Sequence, residues 1–300
     1  MTVPAAAAAG VAPRRAQRGA ALLVAMVILT LVATIAAAMI WQQWRAIQVE
    51  VAERARMQSA WILDGALDWA RLILREDARS GGPDHLGEPW AVPLAEARLS
   101  TFLAADRDRS DDGPEAFLSG QIDDAQARYN LRNLVDQEGK VDEAQLRVLQ
   151  RLCDAAGLPV ALADQIAQTL RAAWSEVEAD APLAPRRLED LRWLGVDAAS
   201  LARLAPWIVL LPSATAVNLN TAPREVLAAV LEGLDAGSAE RLVRARERNP
   251  FVNVEQAKAL LGDDSPVKFD GAGVASQYFV VSGRIRLEDR VLEERSLVQR

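Results

Sequence analysis

Gln17-Arg18-Gly19-Ala20-Ala21-Leu22-Leu23-Val24-Ala25-Met26-Val27-Ile28-Leu29 is the stretch whose reading decides how this 300-residue chain is built. Upstream of it, residues 1–13 are uncharged and rich in alanine, with nothing to form a core, and Arg14, Arg15 and Arg18 come next. Downstream, the uncharged apolar run continues to Ile40. Residues 20–40 make 21 helical positions, which at about 1.5 Å each span roughly 30 Å, one bilayer core. Three arginines before the run hold that end in the cytoplasm and place everything after it on the outer face of the same membrane.

Three readings fit the run itself. A secretory signal would be cut near Ala36-Ala37-Ala38, a signal anchor would not be cut, and a cut at Gly19 would leave the apolar helix on the mature protein. The third is favoured by the residues beyond the run. From Trp41 to about Arg79 there is no proline and a single glycine, Gly65, so the membrane helix continues unbroken into an amphipathic one. Trp44, Ile47, Val51, Ile62, Leu67, Trp69 and Ile73 fall close to one stripe, and most charges lie elsewhere. Such a helix of about 60 residues is roughly 90 Å long, its lower part in lipid and its upper part against a head domain.

The arrangement resembles the class III leader and N-terminal helix of type IV pilins and of the pseudopilins of type II secretion. In that family the prepilin peptidase cuts after the glycine, here Gly19, and methylates the new amino terminus, here Ala20. The family usually carries Glu at the fifth mature position, where this chain has Val24. A carboxylate in lipid is costly unless paired, and a subunit with none above it needs no such partner. Lack of this Glu is characteristic of the K-type minor pseudopilins, which the chain resembles from about residue 17 to 300. Two further segments carry the likeness: Asn130-Leu131-Arg132-Asn133, and Val217-Asn218-Leu219-Asn220-Thr221-Ala222-Pro223. A third is the ending, Tyr278-Phe279-Val280-Val281-Ser282-Gly283-Arg284-Ile285-Arg286-Leu287 with Ser296-Leu297-Val298-Gln299-Arg300.

The head is read from its residues as well. Residues 80–114 are broken by glycines and prolines, with one short helix over 94–103 and the acidic run 106–112 as a solvated loop, a calcium loop being the alternative. Residues 117–122 and 127–131 read as two strands that begin a small sheet on the long helix. A helical block comes next: 142–156 closed by Gly157, 161–177, and 187–194 ended by Gly195. Residues 201–211 read as a buried turn or extended piece. Thr221 reads as the N-cap of a helix over 225–231; a hairpin at 232–235 leads to a helix over 238–248 and a third over 254–261. Each Asn of the two Asn-Leu motifs can bond its own nearby backbone where a strand gives way to a helix. The expected fold is α+β: a pilin-like long N-terminal helix packed on a small antiparallel sheet, with a large inserted all-helical domain resembling SAM-like, helix-hairpin-helix modules. The expected divisions are a removed cytoplasmic leader 1–19, a transmembrane part 20–40, an amphipathic continuation 41–79, the first part of the head 80–131, the helical insertion 132–270 and terminal strands 271–300.

Composition bounds the function. A formal charge of -7 opposes general nucleic-acid binding. Arg241, Arg244, Arg246 and Arg248 give one helix a basic aspect, but Gly233-Leu234-Asp235 lacks the Gly-x-Gly turn that presents backbone N–H groups to phosphate, so no nucleic acid is expected. The single histidine, His85, sits in a turn-rich stretch, and the single cysteine, Cys153, reads as a small buried hydrophobe. Zinc chemistry and His-based acyl transfer are therefore excluded. Calcium sites are known in the family the chain resembles, but the family's longer Gly-, Glu- and Tyr-containing loop is missing here, so Glu176, Glu178 and Asp180 read first as a solvated acidic turn and second as oxygen-ligand candidates for calcium, with no cofactor required. It also implies a non-enzymatic tip subunit of the type II secretion pseudopilus, in the bacterial inner membrane with its head in the periplasm. Its implied partners are the I- and J-type minor pseudopilins, the major pseudopilin filament and the prepilin peptidase. The rival readings are a minor subunit of a type IV or DNA-uptake pilus, which predicts a basic groove, and an anchored carboxylate enzyme, which predicts a deep pocket with convergent acids.

Overall fold

The structure is a computed structural model that describes residues 18–99, 115–175, 181–262, 265–287 and 290–300. Helix α1, Arg18–Ser80, begins at the apolar run and continues past it without interruption, as the absence of proline dictates. The chain divides into two compact units after Gln58. In the first unit α1 is exposed along the whole of its apolar run, and an 18-residue window there is apolar enough to cross a membrane.

In the second unit the last part of α1 lies on a four-stranded antiparallel sheet. Its strands are β1 (Leu94–Arg98), β2 (Ala116–Asp124), β7 (Tyr278–Leu287) and β8 (Arg290–Gln299), in the order β1-β2-β7-β8. The period-2 alternation of β2 and β7 aims Leu118 and Ile285 at Leu63 of α1, and Phe279 at Leu74 and Trp90. Trp90 meets Phe279 edge-on at 5.1 Å between ring centroids. Gly120 and Gly283 face each other across β2 and β7, and a methyl group on Gly120 would lie 2.8 Å from the Ser282 carbonyl oxygen.

Between β2 and β7 the chain builds the helical part around its own core. Two-residue strands β3 (Tyr129–Asn130) and β4 (Ile208–Val209) pair in parallel, as do β5 (Val217–Asn218) and β6 (Ala272–Gly273). The helices are α2 (Glu143–Ala155), α3 (Ala161–Ala173), α4 (Ala198–Leu204), α5 (Arg224–Val230), α6 (Ala236–Arg248) and α7 (Val254–Leu261). Asp142, Asp197 and Asp235 cap α2, α4 and α6 through their carboxylates, and Gly157 takes the positive φ of 63° that lets the chain turn after α2. Cys153 is fully buried in this core.

Several sequence expectations give way to tertiary pairing. Residues 94–98 form strand β1 rather than the start of a helix, because Leu94, Ala97 and Arg98 take partners Gly120, Leu118 and Phe117 on β2; residues 100–103 lie outside the described residues. The second expected strand shrinks to Tyr129–Asn130 and pairs with β4 instead of joining the main sheet. Residues 201–211 hold the end of α4 and then β4. The segment expected as a helix over 187–194 is a 3-10 turn, Leu188–Arg192. Thr221 is not the N-cap of α5; Pro223 occupies that position, and the Thr221 hydroxyl is turned to Asp124.

Candidate assembly interface

Two kinds of surface bear on function: the exposed length of α1, and the junction that fixes the helical part to the sheet. Gly19 and Ala20 lie in the opening turn of α1, and Val24 stands on the exposed apolar run, 56% accessible. Trp41, Trp44, Trp61 and Trp69 are also exposed along the helix. Gly65 lies four residues from both Trp61 and Trp69, and a methyl group built on it would meet nothing within 4 Å. The row is therefore a notch between two indoles. Gly65 and Trp69 also line an apolar groove of about 780 Å³ in the second unit, closed on its other walls by Trp90, Leu118 and Ile122.

The junction is polar and fully satisfied. Asp124, at the end of β2, is 4% exposed and accepts from the Gln126 amide (2.7 Å), the Thr221 hydroxyl (2.6 Å), the Ser276 hydroxyl (2.7 Å) and Asn218 Nδ2 (3.0 Å). Asn218 Nδ2 also reaches the Asp84 carbonyl at 3.1 Å, while its Oδ1 accepts from the Asn220 amide at 2.9 Å. The expected local backbone bond of each motif is present, since Asn130 Oδ1 accepts from the Arg132 amide at 3.0 Å. The motifs do more than this. Asn133 and Asn220 each exchange two bonds with a distant backbone, Asn133 with Thr215 and Asn220 with Phe251. Burial pushes the Asp124 carboxyl above the usual aspartate range, against the pull of its donors.

Beside this junction Arg300 closes the head. Its guanidinium is bidentate on Asp84, with Nη1 to Oδ1 at 2.7 Å and Nη2 to Oδ2 at 2.9 Å. It also donates to Asp77 on α1 and to the Ser276 carbonyl, and it stands 5.1 Å from the Phe279 ring centroid. Asp84 accepts a further bond from the Ser276 amide at 2.6 Å. Glu88 accepts from the His85 amide and from Trp90 Nε1, both at 2.8 Å. Burial, with the Glu88 charge beside it, holds the Asp77 carboxyl above its ordinary value. Sequence reasoning missed this cluster, since the only signals were a turn-rich Asp84 and an Arg 216 residues away.

The oxygens of Asp77, Asp84 and Glu88 lie within 4.8 Å of one another, a spacing that could suit a cation. The donor set answers differently: Arg300 and the Ser276 amide occupy the Asp84 carboxylate, and the Trp90 indole and His85 amide occupy Glu88. Asp77 and Asp84 clamp the Arg300 guanidinium, and Glu88 stands beside Asp77. Glu176, Glu178 and Asp180 lie outside the described residues.

Three of the four arginines of the basic helix are committed to internal bonds. Arg241 donates to the Ser238 hydroxyl (2.8 Å), Arg244 to Glu240 (3.1 Å), and the buried Arg246 to the Leu219 carbonyl (2.6 Å). Desolvation lowers the Arg246 pKa to about 10. The Asp235 carboxylate takes the Gly237 and Ser238 amides that a phosphate would need.

A family model described as type II secretion system protein K matches residues 217–282, and a companion model of the same description matches residues 127–213. The type II secretion system protein K of Pseudomonas aeruginosa is 32% identical over 92% of this chain and 87% of its own length. The proteins of that name from Pectobacterium carotovorum subsp. carotovorum and Klebsiella pneumoniae are 28% and 27% identical, each over 95% of this chain and 93% of their own length. A chain in the crystal structure of the GspK-GspI-GspJ complex from the enterotoxigenic Escherichia coli type 2 secretion system has this fold, with a TM-score of 0.59 and 19% identity over 83% of this chain and 93% of that one. A long α1 on a four-stranded sheet, a helical part fastened by two Asn-Leu motifs, and a relative above 30% identity across nearly the whole length together mean that the chain belongs to the type II secretion system protein K family.

Proposed function

We propose that this protein caps the tip of the type II secretion pseudopilus and starts its assembly, as a non-enzymatic subunit held in the inner membrane by residues 20–40 with its head in the periplasm. The observation that carries the reading is where the helical part is attached. Within the second unit, Leu63 of α1 packs on Leu118 and Ile285, whereas Leu74 and Asp77 lie with Phe279, Trp90 and Arg300 beside the Asp124 junction. The helical part therefore leaves the sheet beside the C-terminal end of α1. A subunit stacking above would meet that bulk.

Val24 supports the same reading. With no carboxylate in its apolar run, this α1 has no acidic group to offer the amino terminus of a neighbour, which the top subunit does not need. The solved relative is a complex of GspK with GspI and GspJ, and by likeness the I- and J-type minor pseudopilins are the partners here, with the major pseudopilin filament below. Trp61, Gly65 and Trp69 offer α1 a notch for a partner helix. Prepilin peptidase would cut after Gly19 and methylate Ala20. The insertion 132–270 and terminal strands 271–300 form the proposed cap and its support, and Glu176, Glu178 and Asp180 remain the proposed calcium ligands.

Gold labelling of a tag on the head, in pseudopili raised by excess major pseudopilin, tests the cap. Label at one end of each filament is the expected result; label along the shaft would overturn it.

A further inference from the structure

Above residue 40, α1 carries Trp41, Gln42, Gln43, Trp44 and Arg45 in succession. The helical period of 100° per residue puts Trp41, Trp44 and Arg45 in one arc about 100° wide. Both indoles are exposed, and their ring centroids stand 5.5 Å apart with planes tilted by 35°. Arg45 is the first charge after the apolar run, and among the described residues it has no ion pair; the next charge, Glu50, bonds Arg54 at 2.8 Å. Above the arc, the Trp41 side of the helix carries Gln48 and Ala52, so the indoles there give way to polar and small residues.

Counted from Ala20, the apolar run uses up roughly the 30 Å of a hydrocarbon core, so this arc emerges where acyl chains give way to headgroups. Indoles prefer that layer, with the ring in the apolar margin and the N–H toward water. A guanidinium offers paired donors to phosphate oxygens. We propose that Trp41, Trp44 and Arg45 form a phospholipid site in the headgroup layer on the head side of the membrane: the indoles lie at the glycerol-ester level and Arg45 holds a phosphate diester. The site fixes the depth and rotation of α1. It rests on the anchored reading of residues 20–40, continues the lipid contact of that run, and takes its specificity from the charge of Arg45.

The test uses the full chain in proteoliposomes whose lipids are brominated either near the glycerol end or near the methyl end of the acyl chains. Because the chain holds eight tryptophans, the signal is the difference between wild type and a Trp41→Phe/Trp44→Phe variant. The expected difference is strong quenching by the shallow bromines and weak quenching by the deep ones. With uniformly ¹³C-arginine protein, dephasing of guanidinium carbon by lipid ³¹P should fall in Arg45→Gln. Co-flotation with the vesicles separates the two ideas. A chain that fails to float refutes the anchor itself. A floating chain whose indole pair is unquenched, or quenched best by the deep bromines, refutes the site. Phosphorus dephasing unchanged in Arg45→Gln refutes the phosphate contact.

Discussion

Replacing Arg300 by alanine strikes the head where three distant segments meet. The side chain is bidentate on Asp84, bonds Asp77 on α1, and stands over Phe279. Alanine at 300 keeps the backbone bond from the residue 300 amide to the Gln277 carbonyl, so the loss is that of the guanidinium. Asp84, 1% exposed, is then left as a buried carboxylate with no countercharge. Removing one partner of a buried ion pair costs about 3–5 kcal/mol. For a unit of this size each kcal/mol lowers Tm by about 2–4 °C, so the midpoint should fall by roughly 6–20 °C. The assay is thermal unfolding of the full chain in detergent, monitored by the near-ultraviolet signal of its buried Trp90. Asp84→Asn in the Arg300→Ala background removes the stranded charge and should restore part of the loss, so the double-mutant cycle gives a coupling above about 1 kcal/mol. A drop in Tm of less than about 2 °C, or simple additivity in the cycle, would refute the clamp.

The pH profile of unfolding has a definite sign. Burial raises Asp77 and Asp124 above the usual aspartate value, so their contribution is full below that value and is lost as pH rises through the raised one. Asp197 and Asp235, held down first by the Ser200 and Ser238 hydroxyls, and Glu232, held down by Lys268, act oppositely and lose their contribution in acid. Urea midpoints should rise as pH falls from neutrality toward the ordinary carboxylate range and drop below it; a monotonic fall from neutrality would contradict this. Gly65→Ala should stabilise the free protein by up to about 1 kcal/mol in urea titrations, because nothing crowds the new methyl group. In the assembled state the same change should weaken co-purification with the minor pseudopilins, by filling the notch between Trp61 and Trp69. Gly120→Ala places a methyl group 2.8 Å from the Ser282 oxygen, and should cost about 1–3 kcal/mol in chemical unfolding.

The parts of this fold legible in the sequence are those written locally. Helix α1 and its apolar run were legible because twenty-one uncharged residues and an unbroken helical period need no tertiary context. So were α2, α6 and α7, whose periodic runs read as helices over 142–156, 238–248 and 254–261; the structure adds their caps, Asp142, Asp235 and Asn253. Strand β1 was not, since Leu94-Ala-Glu-Ala-Arg prefers helix by intrinsic propensity and becomes a strand only by pairing with β2. The Asn motifs were half legible. Their bonds to the next residues but one come from asparagine chemistry, whereas the reach of Asn130 to Ser213, or of Thr221 to Asp124, spans 83 or 97 residues and leaves no local mark. The Arg300 clamp was hidden for the same reason: a charge 216 residues from its partner reads as one more solvated arginine.

A cap at the filament tip requires the apolar helix to remain part of the mature protein. Intact mass and N-terminal sequence of the chain recovered from native membranes test that directly. The expected result is a start at Ala20 bearing one added methyl group. A start near Met39 would contradict it, since the head would then be free of the membrane and unable to cap a filament drawn from it.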